Sequence, residues 1–80
     1  MRTALKVLVH RQTDSLGFLA TCPELQGCHA EGRTLGEAID NLQDVAQSLL
    51  ELRLADGLGL PSTAGETDDA LLTGLISVNF

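Results

Sequence analysis

The chain has no tryptophan and no tyrosine, and only two phenylalanines. Without large rings, any core must be built from Leu, Val, Ile and Ala, within an apolar content of 44%. Cations are scarce as well: Arg2, Lys6, Arg11, Arg33 and Arg53 are scattered among 11 acids, for a net charge of −6 and a pI near 4.5. No Lys/Arg patch exists to release counterions, so the chain is not expected to grip a phosphate backbone itself. The acidity is first of all that of a solvated surface, and it would also suit a basic protein partner. No apolar stretch approaches the ~20 residues that span a bilayer. The start, M-R-T-A-L-K-V-L-V-H, sets charges inside a short alternating run, unlike a signal peptide. Two cysteines make no disulfide framework, which points to the cytoplasm. A glycine-rich phosphate loop is also missing, because G-L-G-L-P follows a helix, the wrong end of the dipole for an anion.

What is present begins with a helix whose start is written out. Thr34 followed by Glu37 is a capping box: the hydroxyl takes a free N–H of the first turn, and the carboxylate reaches back to the cap N–H. From Leu35 the apolar positions Ala38, Ile39, Leu42, Val45, Ala46, Leu49 and Leu50 fall on one stripe at 3.6 residues per turn. Glu37, Asp40, Asp44, Gln47 and Glu51 take the opposite side. Gly36 costs the helix about 1 kcal/mol against Ala, and Gly57 is its C-terminal stop, with Pro61 beyond. A helix over Leu35–Ala55 would be roughly 30 Å long. Its stripe needs a surface to cover it, and a small sheet is the usual one.

The strands announce themselves by alternation. Thr3 to His10 places Leu5, Val7 and Val9 on one face and Lys6 and His10 on the other. R-Q-T-D-S supplies turn residues, Thr13-Asp14-Ser15, before a second strand, Leu16 to Thr21, with a bulge expected at Gly17. The short link makes the two an antiparallel hairpin. Cys22-Pro23 breaks the second strand, Gly27 closes a turn, and Cys28 to Glu31 reads as a short third strand. After the helix, residues 56–70 are rich in Gly, Ser, Thr and acids and read as a flexible connection. Leu71 to Phe80 recovers strand character with Ile76, Val78 and Phe80 on one face. It would either close the chain's own sheet or add to a neighbouring subunit's. The expected fold class is α+β: an antiparallel sheet in the order β-β-β-α-β on one long amphipathic helix, a partial ribonuclease H-like outline. Residues 1–80 are expected to form one domain. A domain this short buries only about 60–65% of its unfolded surface, so self-association that buries more is a reasonable remedy.

Cys22, Cys28, His29 and His10 are the residues that could tempt a metal. Zinc favours C-x2–4-C pairs, whereas here the cysteines are spaced C-x5-C and Cys28 adjoins His29. Strand neighbours point to opposite faces, so one of that pair must turn away. The same alternation argues against a Cys–His nucleophile, and His10 would reach a cysteine only if the first and third strands were neighbours. Small buried apolar fillers is the plainer reading of both thiols. A two-metal nuclease would need three or four converging acids. Asp14 sits in a turn, Glu31 at a strand end, Asp40, Asp44 and Glu51 on the wet helix face, and Asp68-Asp69 in the connection, which is no convergent set. No catalytic, cofactor or metal residue is assigned, and no cofactor is expected.

P-E-L-Q-G-C, followed by Gly32, Thr34, Glu37 and Ala38 and then an apolar-striped helix, resembles the HicB-like family. These are the antitoxin halves of HicA/HicB toxin–antitoxin pairs and their stand-alone relatives. The family's turn reads approximately P-D-L-P-G-C; Pro23, Leu25, Gly27 and Cys28 match, while Glu24 stands for the Asp and Gln26 for the second Pro. The upstream G-F-L-A, Gly17 to Ala20, resembles the family's G-Y-x-A strand. The resemblance runs from about Lys6 to Pro61. It implies the same β-β-β-α-β fold, a non-enzymatic role and an oligomer that covers the active surface of a small basic HicA-like ribonuclease toxin. Full antitoxins of the family carry a C-terminal helix-turn-helix or ribbon-helix-helix segment for promoter binding, so a chain ending at Phe80 is expected to lack a DNA-binding tail.

Two readings of function follow. One is an antitoxin-like module that masks a ribonuclease toxin. The other is a stand-alone homo-oligomeric domain that binds a small ligand or another protein. An enzyme, such as a degenerate ribonuclease H relative or a Cys/His metal protein, is disfavoured because its residues do not converge. For a protein partner, the acidic stripe Asp40, Asp44 and Glu51 is one candidate surface and the first-strand edge another.

Overall fold

A computed structural model describes residues 2–12, 16–57 and 72–80. Five elements follow one another: β1 (Arg2–Arg11), β2 (Phe18–Thr21), β3 (His29–Gly32), α1 (Leu35–Ala55) and β4 (Leu72–Asn79). All strand pairs are antiparallel, in the sheet order β3-β2-β1-β4. The fold is α+β, with α1 laid across one face of the sheet. The connection expected over residues 56–70, Pro61, and the turn residues Thr13, Asp14 and Ser15 fall largely outside the described residues. Asp56 and Gly57 are described, and both belong to the helix stop.

The alternation in β1 sorts as expected, with Leu5, Val7 and Val9 buried against the helix. Leu5 lies opposite Ile76, and Val9 opposite Ala20. The core is completed by Cys22, Leu25, Cys28, Ala38, Leu42, Ala46, Leu50 and Val78. Ala38, Leu42, Ala46 and Leu50 form the innermost line of α1, flanked by half-buried Leu35, Ile39, Val45 and Leu49.

Several boundaries moved, each for a backbone reason. β2 begins at Phe18 and not at Leu16, because the Gln12 N–H donates to the Gly17 carbonyl at 3.0 Å and closes the hairpin there. Gly17 therefore precedes the strand and forms no bulge within it. β3 begins at His29 because the Cys28 N–H donates back into the turn, to the Leu25 carbonyl at 3.0 Å. The expected first-strand edge is taken: β1 is interior, paired with β2 along one side and with β4 from Arg2 to Val9 along the other. β4 thus closes this chain's own sheet.

The capping box forms with one change. Thr34 Oγ1 accepts the Glu37 N–H at 3.0 Å, but the Glu37 carboxylate accepts the N–H of Arg33, at 2.9 Å, one residue before the cap. Gly32 explains how the helix can start so close to the strand it follows: a Cβ there would lie 2.3 Å from the Ala38 backbone nitrogen. At the other end Gly57, at φ +73°, ends the helix in the left-handed region. Two side chains strap α1 to the outer strands, Asn41 Nδ2 donating to the Glu31 carbonyl at 2.8 Å and Gln43 Nε2 to the Ser77 carbonyl at 3.4 Å.

Candidate partner-binding surface

The turn between β2 and β3 is built on backbone hydrogen bonds. The Cys22 N–H donates to the Cys28 carbonyl at 2.9 Å, and the Leu25 N–H to the Cys22 carbonyl at 3.2 Å. Gly27, at φ +81°, makes the reversal that a side chain would resist. Inside this frame the two thiols are free, buried and hydrogen-bonded to each other. The contact holds the Cys22 thiol below its ordinary value, against the opposing effect of burial. It pushes Cys28 far above the thiol range, and burial adds to that push. A thiol shielded in this way is poorly placed for nucleophilic attack.

The sheet separates the cysteines from the histidines. Cys22 and Cys28 lie in the core on the helix side, whereas His10 and His29 sit opposite Leu19 and Thr21 on the other face. β2 lies between β1 and β3, so the two strands that carry the histidines are not neighbours. Among the described residues no group of three or more His, Cys, Asp or Glu side chains could hold a metal. The acids also stay apart. Glu31 faces the open side of the sheet, and Asp40, Asp44 and Glu51 are exposed on the far side of the helix. Asp14, Asp68 and Asp69 lie outside the described residues. Apart from the two thiols, no polar or charged side chain among the described residues is buried.

Two surfaces remain. The first is the back of α1, where Glu37, Asp40, Asp44 and Glu51 are all exposed on a helix capped at both ends. The second is the face of the sheet opposite the helix, on which no described element lies. Leu8 lies at its middle with 6% exposure, and Leu75 of β4 stands out with 75%. Beside Leu75 is an open depression of about 420 Å³ lined by Ala4, Lys6, Glu24, Thr73, Gly74 and Leu75. The part played by Glu24 was missed from sequence: its carboxylate accepts the Lys6 backbone N–H at 2.5 Å. An acid inside P-E-L-Q-G-C was the available signal, but nothing local indicated its target.

No family model matches the chain. Two UPF0150 proteins of Synechocystis sp. are each 36% identical to it. One aligns over 55 residues, 69% of this chain and 68% of that protein; the other over 67 residues, 82% and 92%. The chain belongs to the UPF0150 family. The fold of this UPF0150 chain is matched by the crystal structure of the N-terminal domain of the Burkholderia pseudomallei antitoxin HicB. The TM-score is 0.78 at 22% identity, over 98% of this chain and 100% of that domain. The UPF0150 chain thus shares the fold of that domain, here a four-stranded antiparallel sheet on one long helix. None of its described helices is long and apolar enough to cross a membrane.

Proposed function

We propose that this chain is a non-enzymatic, protein-binding module of the antitoxin kind. It masks a small basic ribonuclease toxin in the cytoplasm, and it self-associates. The observation that carries this reading is the exposed acidic back of α1, Asp40, Asp44 and Glu51 with Glu37, on a helix already anchored to the sheet through its other side. A rigid anionic face needs no ordering before it meets a basic surface, and its field steers such a partner into place. The match of the fold to the N-terminal domain of the antitoxin HicB supports the same choice of partner.

The test is affinity capture of the tagged chain from its native lysate with mass spectrometry of what co-purifies. A small basic protein in near-equal amount is expected, and it should be lost on combining Asp40→Lys, Asp44→Lys and Glu51→Lys. Recovery of the chain alone would overturn the antitoxin reading. Capture of a basic partner that survives the triple substitution would move its contact surface off the helix.

A further inference from the structure

β4 is an outer strand of the sheet, and the directions of its backbone groups follow from two hydrogen bonds elsewhere. In an antiparallel pair, opposed residues alternate between those that exchange hydrogen bonds and those whose N–H and C=O turn away from each other. The Lys6 N–H points to Glu24, on the side of β1 away from β4. The opposed pair Lys6 and Leu75 is therefore one that does not exchange bonds. Leu75 then presents its N–H and C=O to the outer edge, which no described strand fills, as do Thr73 and Ser77 two residues to either side. The Gln43 amide agrees independently, since it reaches the Ser77 carbonyl from outside the sheet.

Outer strands are normally protected by charge, proline or a bulge. β4 reads L-T-G-L-I-S-V-N over eight residues, with neither a charge nor a proline. Leu75 is 75% exposed and Leu72 41%. At Gly74 nothing among the described residues lies within 4 Å of where a Cβ would be, so the helix does not crowd the strand at this position.

We infer that β4 pairs antiparallel with β4 of a second copy of this chain, about a two-fold axis through Leu75, to form one continuous eight-stranded sheet. In that register Leu75 meets Leu75 of the partner copy, and Thr73 meets Ser77 in both directions. These three are the residues whose backbone groups already point outward, so the seam gains about six hydrogen bonds, two of them to Ser77 carbonyls whose second lone pair stays with the Gln43 amide. Opposed residues share a parity, so both helices stay on one face and the open faces join. Charge does not oppose a second copy at this seam although the chain carries −6. The seam is neutral, and the exposed acids of α1 lie on the side of the helix away from the sheet. Lys6 of each copy would be three strand spacings, roughly 14 Å, from its counterpart, beyond the ~8 Å screening length of physiological salt. The seam buries Leu75, which nothing among the described residues covers, and leaves the acidic helix face free in duplicate.

This inference rests on the self-association proposed above and not on the toxin. Sedimentation equilibrium of the chain and of a Leu75→Lys variant tests it. The chain should sediment at twice its 8.5 kDa. The variant, altered at an exposed position, should sediment as a monomer with its helical circular dichroism retained. A monomeric parent chain would overturn both this seam and the self-association; a dimeric Leu75→Lys would overturn the seam alone. The register has its own check in a mixture of Thr73→Cys and Ser77→Cys chains treated with a short bismaleimide. A crosslinked heterodimer is expected, and dimers lacking that crosslink would overturn the Leu75-centred pairing.

Discussion

Glu24 does for β1 what a longer β2 would have done. β2 ends opposite Leu8, and two residues earlier on β1 the Lys6 N–H is met by the Glu24 carboxylate at 2.5 Å. The P-E-L-Q-G-C turn therefore carries its own cap for the strand it abandons. This explains an acid between Pro23 and Leu25 without any appeal to chemistry.

Glu24→Ala should destabilise the chain by about 1–3 kcal/mol, because it strands a partly buried donor that had a charged acceptor. Glu24→Gln keeps an oxygen at the same reach and should cost less. Urea titration of the three proteins measures this. Equal midpoints for Glu24→Ala and the parent would mean that solvent serves the Lys6 N–H just as well.

Two glycines close together in sequence should respond in opposite directions to alanine. At Gly32 the new methyl meets the Ala38 backbone, which cannot yield without moving the helix, and a loss of about 3 kcal/mol is expected. At Gly36 nothing among the described residues lies within 4 Å, and the helical setting should give a gain of up to about 1 kcal/mol. Thermal melts compare the pair. A Gly32→Ala protein as stable as the parent would show that α1 can lift off β3 at little cost.

Leu42 is fully buried at the centre of α1, so Leu42→Asp sets a charge inside the one helix–sheet core and should abolish cooperative unfolding. Asp44, two residues on and exposed, should tolerate Lys within about 0.5 kcal/mol. A cooperative melt for Leu42→Asp, or a loss of several kcal/mol for Asp44→Lys, would contradict the orientation of the helix.

The paired thiols make a prediction in alkali. An unfolded cysteine titrates near 9.0, whereas Cys28 is held neutral in the fold by its bond to Cys22 and by burial. Its contribution to stability is complete below that value and is lost as the pH rises above it, because the unfolded chain then binds fewer protons than the folded one. Cys22, shifted downward, works in the opposite sense: its contribution is present above the ordinary value and fades as the pH falls through its own lower one. Stability from urea titrations should therefore crest near the ordinary thiol value and then decline. Cys28→Ala should lose the decline, and an unchanged slope in that variant would place its origin in other groups.

Most of the architecture could be read from neighbouring residues. The Thr34–Glu37 box, the stripe through Leu42 and the stop at Gly57 delimited α1 at Leu35–Ala55, the bounds observed. These are signals carried within a turn or two of helix. Alternation likewise located the strands, with errors of one or two residues where a backbone N–H bonded into a turn, as at Cys28. The surface was less legible. Burial could be inferred from pattern, and the acids of α1 were correctly placed outward, but neither Glu24 nor the exposed edge of β4 stood out from residue type.

The sequence by itself determined the elements and their amphipathic faces, because propensity, capping and side-chain periodicity act over a few residues. Only the tertiary structure decided which strands are neighbours. It placed β4 beside β1 and so made β1 interior, brought the Glu24 carboxylate to a backbone group 18 residues away, and pressed Gly32 against Ala38. Each of these depends on how the chain returns upon itself. A strand offers hydrogen bonds along both edges, and nothing within the strand says which edge will be filled.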